Sequence, residues 1–196
     1  MLFLSIMLAL DVVQSSPNLV IKTISDLVHG SYGWLQSLAF ILLAFWFFLF
    51  IFKLSSMTGR RIGSLTGASF LSITSLGFIL IAVFPSHASG LGQTFQGLVH
   101  DSIAGLISSS FIIGCIAFAV HFRRDPKWMR YWMYTTITVL SCLAFALLWA
   151  LIPPEWALKG LAERLVLITG FTWVAVISLK LVRLCRQSRE AVRIEL

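Results

Sequence analysis

The chain has 196 residues, of which 58% are hydrophobic and only 12% are charged, with a formal net charge of +7. A soluble domain has about 25% charged residues, so this sequence lacks the polar side chains needed to cover a folded domain in water. The composition excludes a soluble domain, a disordered chain and a collagen-like repeat, and it predicts an all-α, polytopic helical membrane protein that forms a single membrane domain.

Six apolar runs are predicted to form a bundle of six helices, at about 1–13, 33–54, 65–84, 99–121, 131–152 and 161–182. The first run is the weakest, because it contains Asp11 and rises only ~20 Å as a helix, against a hydrocarbon core of ~30 Å. It also lacks the basic start and the cleavage site of a secretory signal. We therefore expect a short or half-buried first helix, or a chain that starts further upstream.

Residues 16–29 are predicted to form an amphipathic helix at the interface on the outer side of the membrane. Ser16 suits an N-cap, Pro17 suits the first helical position, and Gly30 suits the residue just past a helix end. At 100° per residue the polar side chains fall in one stripe, made of Asn18, Lys22, Ser25, Asp26 and His29. In one interpretation the helix lies flat, with Lys22 paired to Asp26. In the other, the stripe turns inward and Asp26 and His29 line a pocket mouth beneath a lid.

Later spans show two further patterns. The second span contains the run FILLAFWFFLFIF (residues 40–52), which is predicted to face lipid or a partner, or, in a minor alternative, to form a pigment or quinone groove. Small residues in the third and fourth spans, among them Gly67, Gly77 and Gly114, are predicted to let these helices pack closely. The hydroxyls of Ser108, Ser109 and Ser110 are expected to bond to their own helix, which makes them poor nucleophiles.

The outer side is predicted to hold most of the polar side chains that carry chemistry. His87 lies in a loop rich in Gly and Ser, His100 and Asp101 are predicted at the start of the fourth helix, and Glu163 and Arg164 at the start of the sixth. If these helix starts meet, the group has three interpretations: a metal site with His87, His100 and Glu163 as ligands, a structural cluster in which Arg164 pairs with a carboxylate, or a ligand pocket. No HxxxH or HExxH spacing favours the metal.

The sequence predicts no common cofactor. Its three cysteines form no CxxC or CxxCH, so neither a disulfide nor a c-type haem is expected, and no nucleotide-binding motif is present. His100 and His121 are 21 residues apart on one predicted helix, about 31 Å, so they cannot share a haem iron. Any other cofactor stays unknown.

The basic residues predict the orientation. Twelve of the 15 fall on the side that holds the second loop, the fourth loop and the C-terminal tail (183–196), whereas Lys22, Lys159 and Arg164 fall on the other side. The positive-inside rule then places both termini in the cytoplasm, and we expect a multi-pass protein of the cell inner membrane. Because topology accounts for the net charge, no nucleic-acid partner is expected.

Short blocks in a fixed order carry a family resemblance. They are ISDLVHGSYGWLQ, an FP that ends the third span, a His near the start of the fourth, DPKW in a basic loop, and GLAERL before the last span. In these blocks the chain resembles the domain of unknown function 998 family of integral membrane proteins. The resemblance implies a six-helix membrane protein with a longer first span, and it implies no activity, cofactor or site residue.

Two classes of function compete on the sequence alone. The preferred one is a non-enzymatic accessory subunit, or a binder of a lipid-like or small amphiphilic ligand, with an outward-facing polar pocket framed by residues 16–30 and 85–101. The alternative is an outward-facing metal-dependent hydrolase, in which Asp101 or Glu163 serves as ligand or general base. A small transporter is a further alternative, although the spans show no break and no mid-membrane charge. Membrane lipids are the expected partners, together with another membrane protein or a second copy of the chain.

Overall fold

The computed structural model describes residues 2–13, 24–86, 94–152 and 158–194. These residues form six α-helices and one short 3-10 helix, with no β-strand among them: α1 (Leu2–Val13), the 3-10 helix (Ser25–His29), α2 (Gly33–Thr58), α3 (Ile62–Val83), α4 (Phe95–Arg123), α5 (Met129–Leu151) and α6 (Lys159–Ile194). The predicted all-α, six-helix architecture is confirmed.

Five helices in the described part of the chain, α2 to α6, are long and apolar enough to cross a membrane. Their lipid-facing surfaces carry large exposed apolar side chains, among them Phe45, Phe48 and Phe52 of α2. By contrast, the 12 residues of α1 rise only ~18 Å, about three-fifths of the ~30 Å hydrocarbon core. The protein is a multi-pass membrane protein with one short helix.

Helices α2 to α6 pack in chain order. Each of α2 to α5 packs on the next helix in sequence, while α2 and α6 touch at few places. The short helix α1 lies between α2 and α6, where Phe3 contacts Phe40 and Phe171 with ring centroids 5.2 and 5.4 Å away. Asp11, at the other end of α1, contacts Arg164 near the start of α6. Helix α1 therefore runs antiparallel to α6 and fills only half of the gap between α2 and α6, at the end of the bundle where α6 starts, which is predicted to face outward and is called the outer end.

The closest packing joins α3 and α4. A Cβ on Gly67 would lie 2.6 Å from the ring of Phe118, and one on Gly114 would lie 2.8 Å from Leu71. One turn further along, the hydroxyls of Thr74 and Ser110 are 2.8 Å apart. The prediction that small residues bring these helices together is confirmed, because side chains at these positions would hold the backbones apart.

The start of α4 differs from the prediction. The helix begins at Phe95, where the Thr94 side chain caps it by accepting a hydrogen bond from the N–H of Gly97 (3.2 Å). His100 and Asp101 therefore lie in the second turn of α4, and Glu163 likewise lies in the second turn of α6, which begins at Lys159. The prediction of first-turn positions was wrong because the apolar pattern begins later than the cap that starts the helix.

The end of α6 also differs from the prediction, which ended the last helix at residue 182 and began a tail at residue 183. The helix runs without a break as far as Ile194. No Gly or Pro follows Gly170, and the arginines, leucines, glutamate and alanine of the tail are good helix formers, so nothing stops the helix where the apolar stretch ends.

The predicted outer helix at 16–29 is described only in part, because residues 14–23 lie outside the described ranges. Residues 25–29 form a 3-10 helix in place of the expected α-helix, and it ends at Gly30 as predicted. The segment turns sharply into α2, and a Cβ on Gly33 would collide with the carbonyl group of Val28. A one-turn segment that reverses direction this tightly suits the tighter 3-10 winding.

Candidate functional site

A buried ion pair at the outer end of the bundle joins α1 to α6. Nη2 of Arg164 donates hydrogen bonds to both carboxylate oxygens of Asp11, at 2.9 and 3.1 Å, and Nη1 donates to the carbonyl of Gly160 at 3.1 Å. Asp11 is 4% exposed and Arg164 is 8% exposed. The expected pairing of Arg164 with a carboxylate is therefore found, but with Asp11 from α1, a residue that the sequence placed only in a weak first span.

Glu163, the neighbour of Arg164, holds the segment before α2. Its Oε2 accepts a hydrogen bond from the backbone N–H of Ile24 at 2.8 Å. Ile24 and Leu27 are each 1% exposed, so the apolar side of this segment is packed into the protein. A carboxylate that satisfies a backbone donor at this point fixes the segment across the start of α6.

The outer histidines bind backbone carbonyls near the end of α3. Nδ1 of His100 donates to the carbonyl of Phe84 (2.7 Å), and Nε2 of His29 donates to that of Ser86 (2.9 Å). A carbonyl only accepts hydrogen bonds, so each of these nitrogens carries a proton. The Ser86 hydroxyl in turn donates to the carbonyl of Ser25 at 3.1 Å. The bonds of His29 and Ser86 hold residues 24–30 against the end of α3, and the bond of His100 joins α4 to the same place.

The remaining predicted site residues are described only in part. Asp101 is exposed on α4, the side chain of Asp26 is not described, and His87 lies outside the described residues. Among the residues that the structure describes, no group of three or more His, Cys, Asp or Glu side chains could hold a metal ion. His100 and Glu163 bind different backbone groups; that they share a ligand stays a prediction.

A groove with a volume of 510 Å³ lies between α1, α2 and α6. Its walls are almost wholly apolar, and they are formed by Phe3, Ile6, Ala39, Leu42, Leu43, Trp46, Phe47, Leu49, Phe50, Lys53, Phe171, Thr172, Val174, Ala175, Ser178, Leu181 and Val182. Trp46 and Val182 on its rims are 61% and 48% exposed, so the groove opens sideways from the bundle. In a membrane this opening faces the lipid.

The shape of the groove follows from the shortness of α1. Phe3 and Ile6 in the first two turns of α1 close its outer end, and beyond them α2 and α6 continue side by side without a helix between them. The other end reaches Lys53 near the end of α2, the one charged residue in the lining. The groove is therefore an apolar channel with a single positive charge at its far end.

A smaller cavity of 60 Å³ lies behind the groove in the centre of the bundle. The two spaces share the side chains of Phe47, Phe171 and Val174 as a common wall. Thr74 and Ser108 are its hydroxyl-bearing residues, and Ser109 and Ser110 donate to the carbonyls of Gly105 and Leu106, as predicted for this serine run. The cavity is a mostly apolar packing space, and Cys142 also lines it.

The groove was only partly visible in the sequence. The aromatic run of α2 supplies Trp46, Phe47 and Phe50 to it, and a groove for an apolar pigment or quinone was a minor interpretation of that run. The sequence does not indicate which face of α6 forms the opposite wall of the groove, because α6 has no aromatic or polar stripe that marks it. A signal was present in the length of the first run, since a helix too short to span leaves a gap between its neighbours.

The comparisons with known proteins give one match. No curated protein and no solved structure matches the chain. A family profile described as "Protein of unknown function (DUF998)" matches residues 1–180, which include all six helix starts and every residue of the groove except Leu181 and Val182. The chain therefore belongs to the DUF998 family of proteins of unknown function.

Proposed function

We propose that this protein is a non-enzymatic membrane protein that binds a lipid-like or small amphiphilic ligand, whose apolar part lies in the groove between α1, α2 and α6. The observation that carries the proposal is the groove itself, an apolar channel of 510 Å³ that opens toward the membrane. This volume lies within the range of ~300–1,000 Å³ typical of small-molecule sites. Acyl or isoprenoid chains match its lining, because burial of apolar surface is favourable without specific hydrogen bonds.

The outer polar residues support the same choice against the hydrolase. The described hydrogen bonds of Glu163, His29 and Arg164 go to backbone groups and to Asp11, where they hold the short segment and α1 in place, and that of His100 joins α4 to the end of α3. A general base or a metal ligand needs its acceptor atoms directed at a substrate or an ion. We therefore assign these side chains an architectural role, and the ligand-binding role moves from the outward-facing pocket to the lateral groove.

The proposal is tested by closing the groove. Ala175 lies in the wall of the groove on α6, and Ala175→Trp would place an indole in the channel. Protein purified in a mild detergent and incubated with a defined phospholipid is examined by native mass spectrometry for retained lipid. We expect wild type to retain the added phospholipid and Ala175→Trp to lose it.

Ala144→Trp is the matched control, because Ala144 is exposed on α5 and lies outside the groove. It should retain lipid as wild type does, and both variants should remain monodisperse with similar melting temperatures. Ser178→Phe, which fills the groove one turn from Ala175, covers the case in which Ala175→Trp fails to fold. Equal lipid retention in wild type and in a folded groove-filling variant would contradict the proposed function.

A further inference from the structure

We propose that the groove selects an anionic phospholipid, with one acyl chain along α2 and α6 and the phosphate at Lys53. This inference rests on the proposed function and adds to it the charge of the ligand and the position of its headgroup. It depends on three observations: the positive charge at one end of the groove, the apolar character of the other lining residues, and the length of the groove.

The charge is confined to the far end of the groove. Lys53 is exposed there and is the one charged residue of the lining. Arg186 is also exposed and lies four residues after Val182, on the same face of α6, so it extends the positive end by one helical turn. No carboxylate lines the groove. A phosphate that reaches this end meets positive charge without an opposing acid.

Lys180 lies at a similar depth on α6 but points elsewhere. Its ammonium group is 5.9 Å from the centre of the Tyr131 ring of α5, in a cation–π contact, and it does not line the groove. Two lysines near the same end of the bundle therefore differ in one respect that matters here: Lys53 lies at the groove and Lys180 faces α5.

The length of the groove fits one acyl chain. From Ala39 to Lys53 the wall on α2 covers fifteen residues, and the rise from the first to the last is ~21 Å. One leaflet of the hydrocarbon core is ~15 Å thick, so a chain whose headgroup lies at Lys53 passes the length of its leaflet inside the groove and ends near Phe3. Under the predicted orientation this leaflet is the cytoplasmic one, which is rich in anionic lipid.

The lateral opening and the positive charge at one end of the groove together favour a membrane lipid over a second copy of the chain. A second helix in the groove would have to place an acidic side chain at Lys53. At this end of the bundle the acidic residues of the described ranges are Asp125, which lies in the turn between α4 and α5 and not on a helix, and Glu190, which follows the spanning part of α6. A lipid supplies an apolar chain and an anionic group in the required order, and it reaches the groove by lateral diffusion.

The test compares Lys53→Met with Lys180→Met, which remove the same charge and keep a similar side-chain length. Full-length protein is incubated in detergent with phosphatidylglycerol and with phosphatidylcholine of identical acyl chains, and retained lipid is measured by native mass spectrometry over a lipid titration. One lysine near a membrane surface contributes enough to change the affinity for an anionic lipid about fivefold. We expect wild type and Lys180→Met to prefer phosphatidylglycerol about fivefold, and Lys53→Met to lose that preference.

The outcomes separate this inference from the proposed function. If wild type binds both lipids equally, or if Lys53→Met and Lys180→Met behave alike while Ala175→Trp still abolishes binding, the groove binds lipid and the headgroup assignment is wrong. If Ala175→Trp retains both lipids, the groove is not the site and both proposals fail. A lipid-dependent dimer mass that Ala175→Trp abolishes would identify a second copy as the occupant and would also overturn the inference.

Discussion

Single residues at the outer end of the bundle join separate elements through ion pairs and hydrogen bonds. Arg164 on α6 binds Asp11 on α1, while the adjacent Glu163 binds the backbone of Ile24. Consecutive residues of one helix point about 100° apart, so two neighbours can hold two different elements. The cost of removing one partner depends on what stays behind: an ion buried in a protein within a membrane has no water to replace the lost group.

Arg164→Met should destabilise the protein strongly because it leaves Asp11, 4% exposed, without the guanidinium that it binds. We expect a loss of about 3–5 kcal/mol in the free energy of unfolding, measured by denaturant titration in detergent micelles. The double variant Asp11→Leu/Arg164→Met removes both charges and should be closer to wild type than either single variant. If the losses in free energy of unfolding of the two single variants simply add in the double variant, the buried ion pair would be contradicted.

At the scale of elements, α3 and α4 pack most closely because small residues face each other where the helices cross. Gly67 packs against the ring of Phe118, which is fully buried and has no space to move into, whereas Gly105 on the other side of α4 has no atom within 4 Å of an added Cβ. The same residue type therefore has two different effects in one helix pair. Gly67 permits contact, and Gly105 only weakens its helix.

Gly67→Ala and Gly105→Ala should change stability in opposite directions. We expect Gly67→Ala to lower the free energy of unfolding by about 1–3 kcal/mol through overpacking. Gly105→Ala should raise it by about 0.5–1 kcal/mol, because alanine is the better helix former. Thermal unfolding of both variants in the same detergent measures the difference. Similar shifts for the two substitutions would show that the α3–α4 contact is looser than described.

For the whole molecule, the described residues form five helices long and apolar enough to span a membrane and a short α1 that leaves one side of the bundle open. Antiparallel packing of α2 to α6 places the turn between α2 and α3, the turn between α4 and α5, and the end of α6 at one end of the bundle. Twelve of the 15 basic residues lie in or near these segments. The positive-inside rule predicts that this end lies in the cytoplasm.

The orientation is tested by cysteine labelling in intact cells. In a variant whose cysteines 115, 142 and 185 are replaced by alanine, Ser31→Cys and Ser56→Cys each supply one exposed thiol, at opposite ends of α2. A membrane-impermeant maleimide should label Ser31→Cys directly and Ser56→Cys only after the cells are permeabilised. Labelling of Ser56→Cys in intact cells would reverse the predicted orientation.

The sequence by itself determined the class and the elements of this protein. Apolar runs long enough to span a membrane can satisfy their backbone groups only as helices, so the number of helices and the core of each one followed from hydropathy. The bounds were less accurate, because Thr94 starts α4 before the apolar pattern begins and the charged tail of α6 continues the helix beyond it.

Only the tertiary structure decided which side chains meet. Asp11 and Arg164 are 153 residues apart in the chain, and Ile24 and Glu163 are 139 apart, so no local pattern joins them. The groove likewise needs α2, the second helix, to lie near α6, the last, with α1 too short to fill the space between them. Hydropathy fixes which helices form, but among helices that are apolar on nearly every face, shape and a few buried polar pairs decide how they pack.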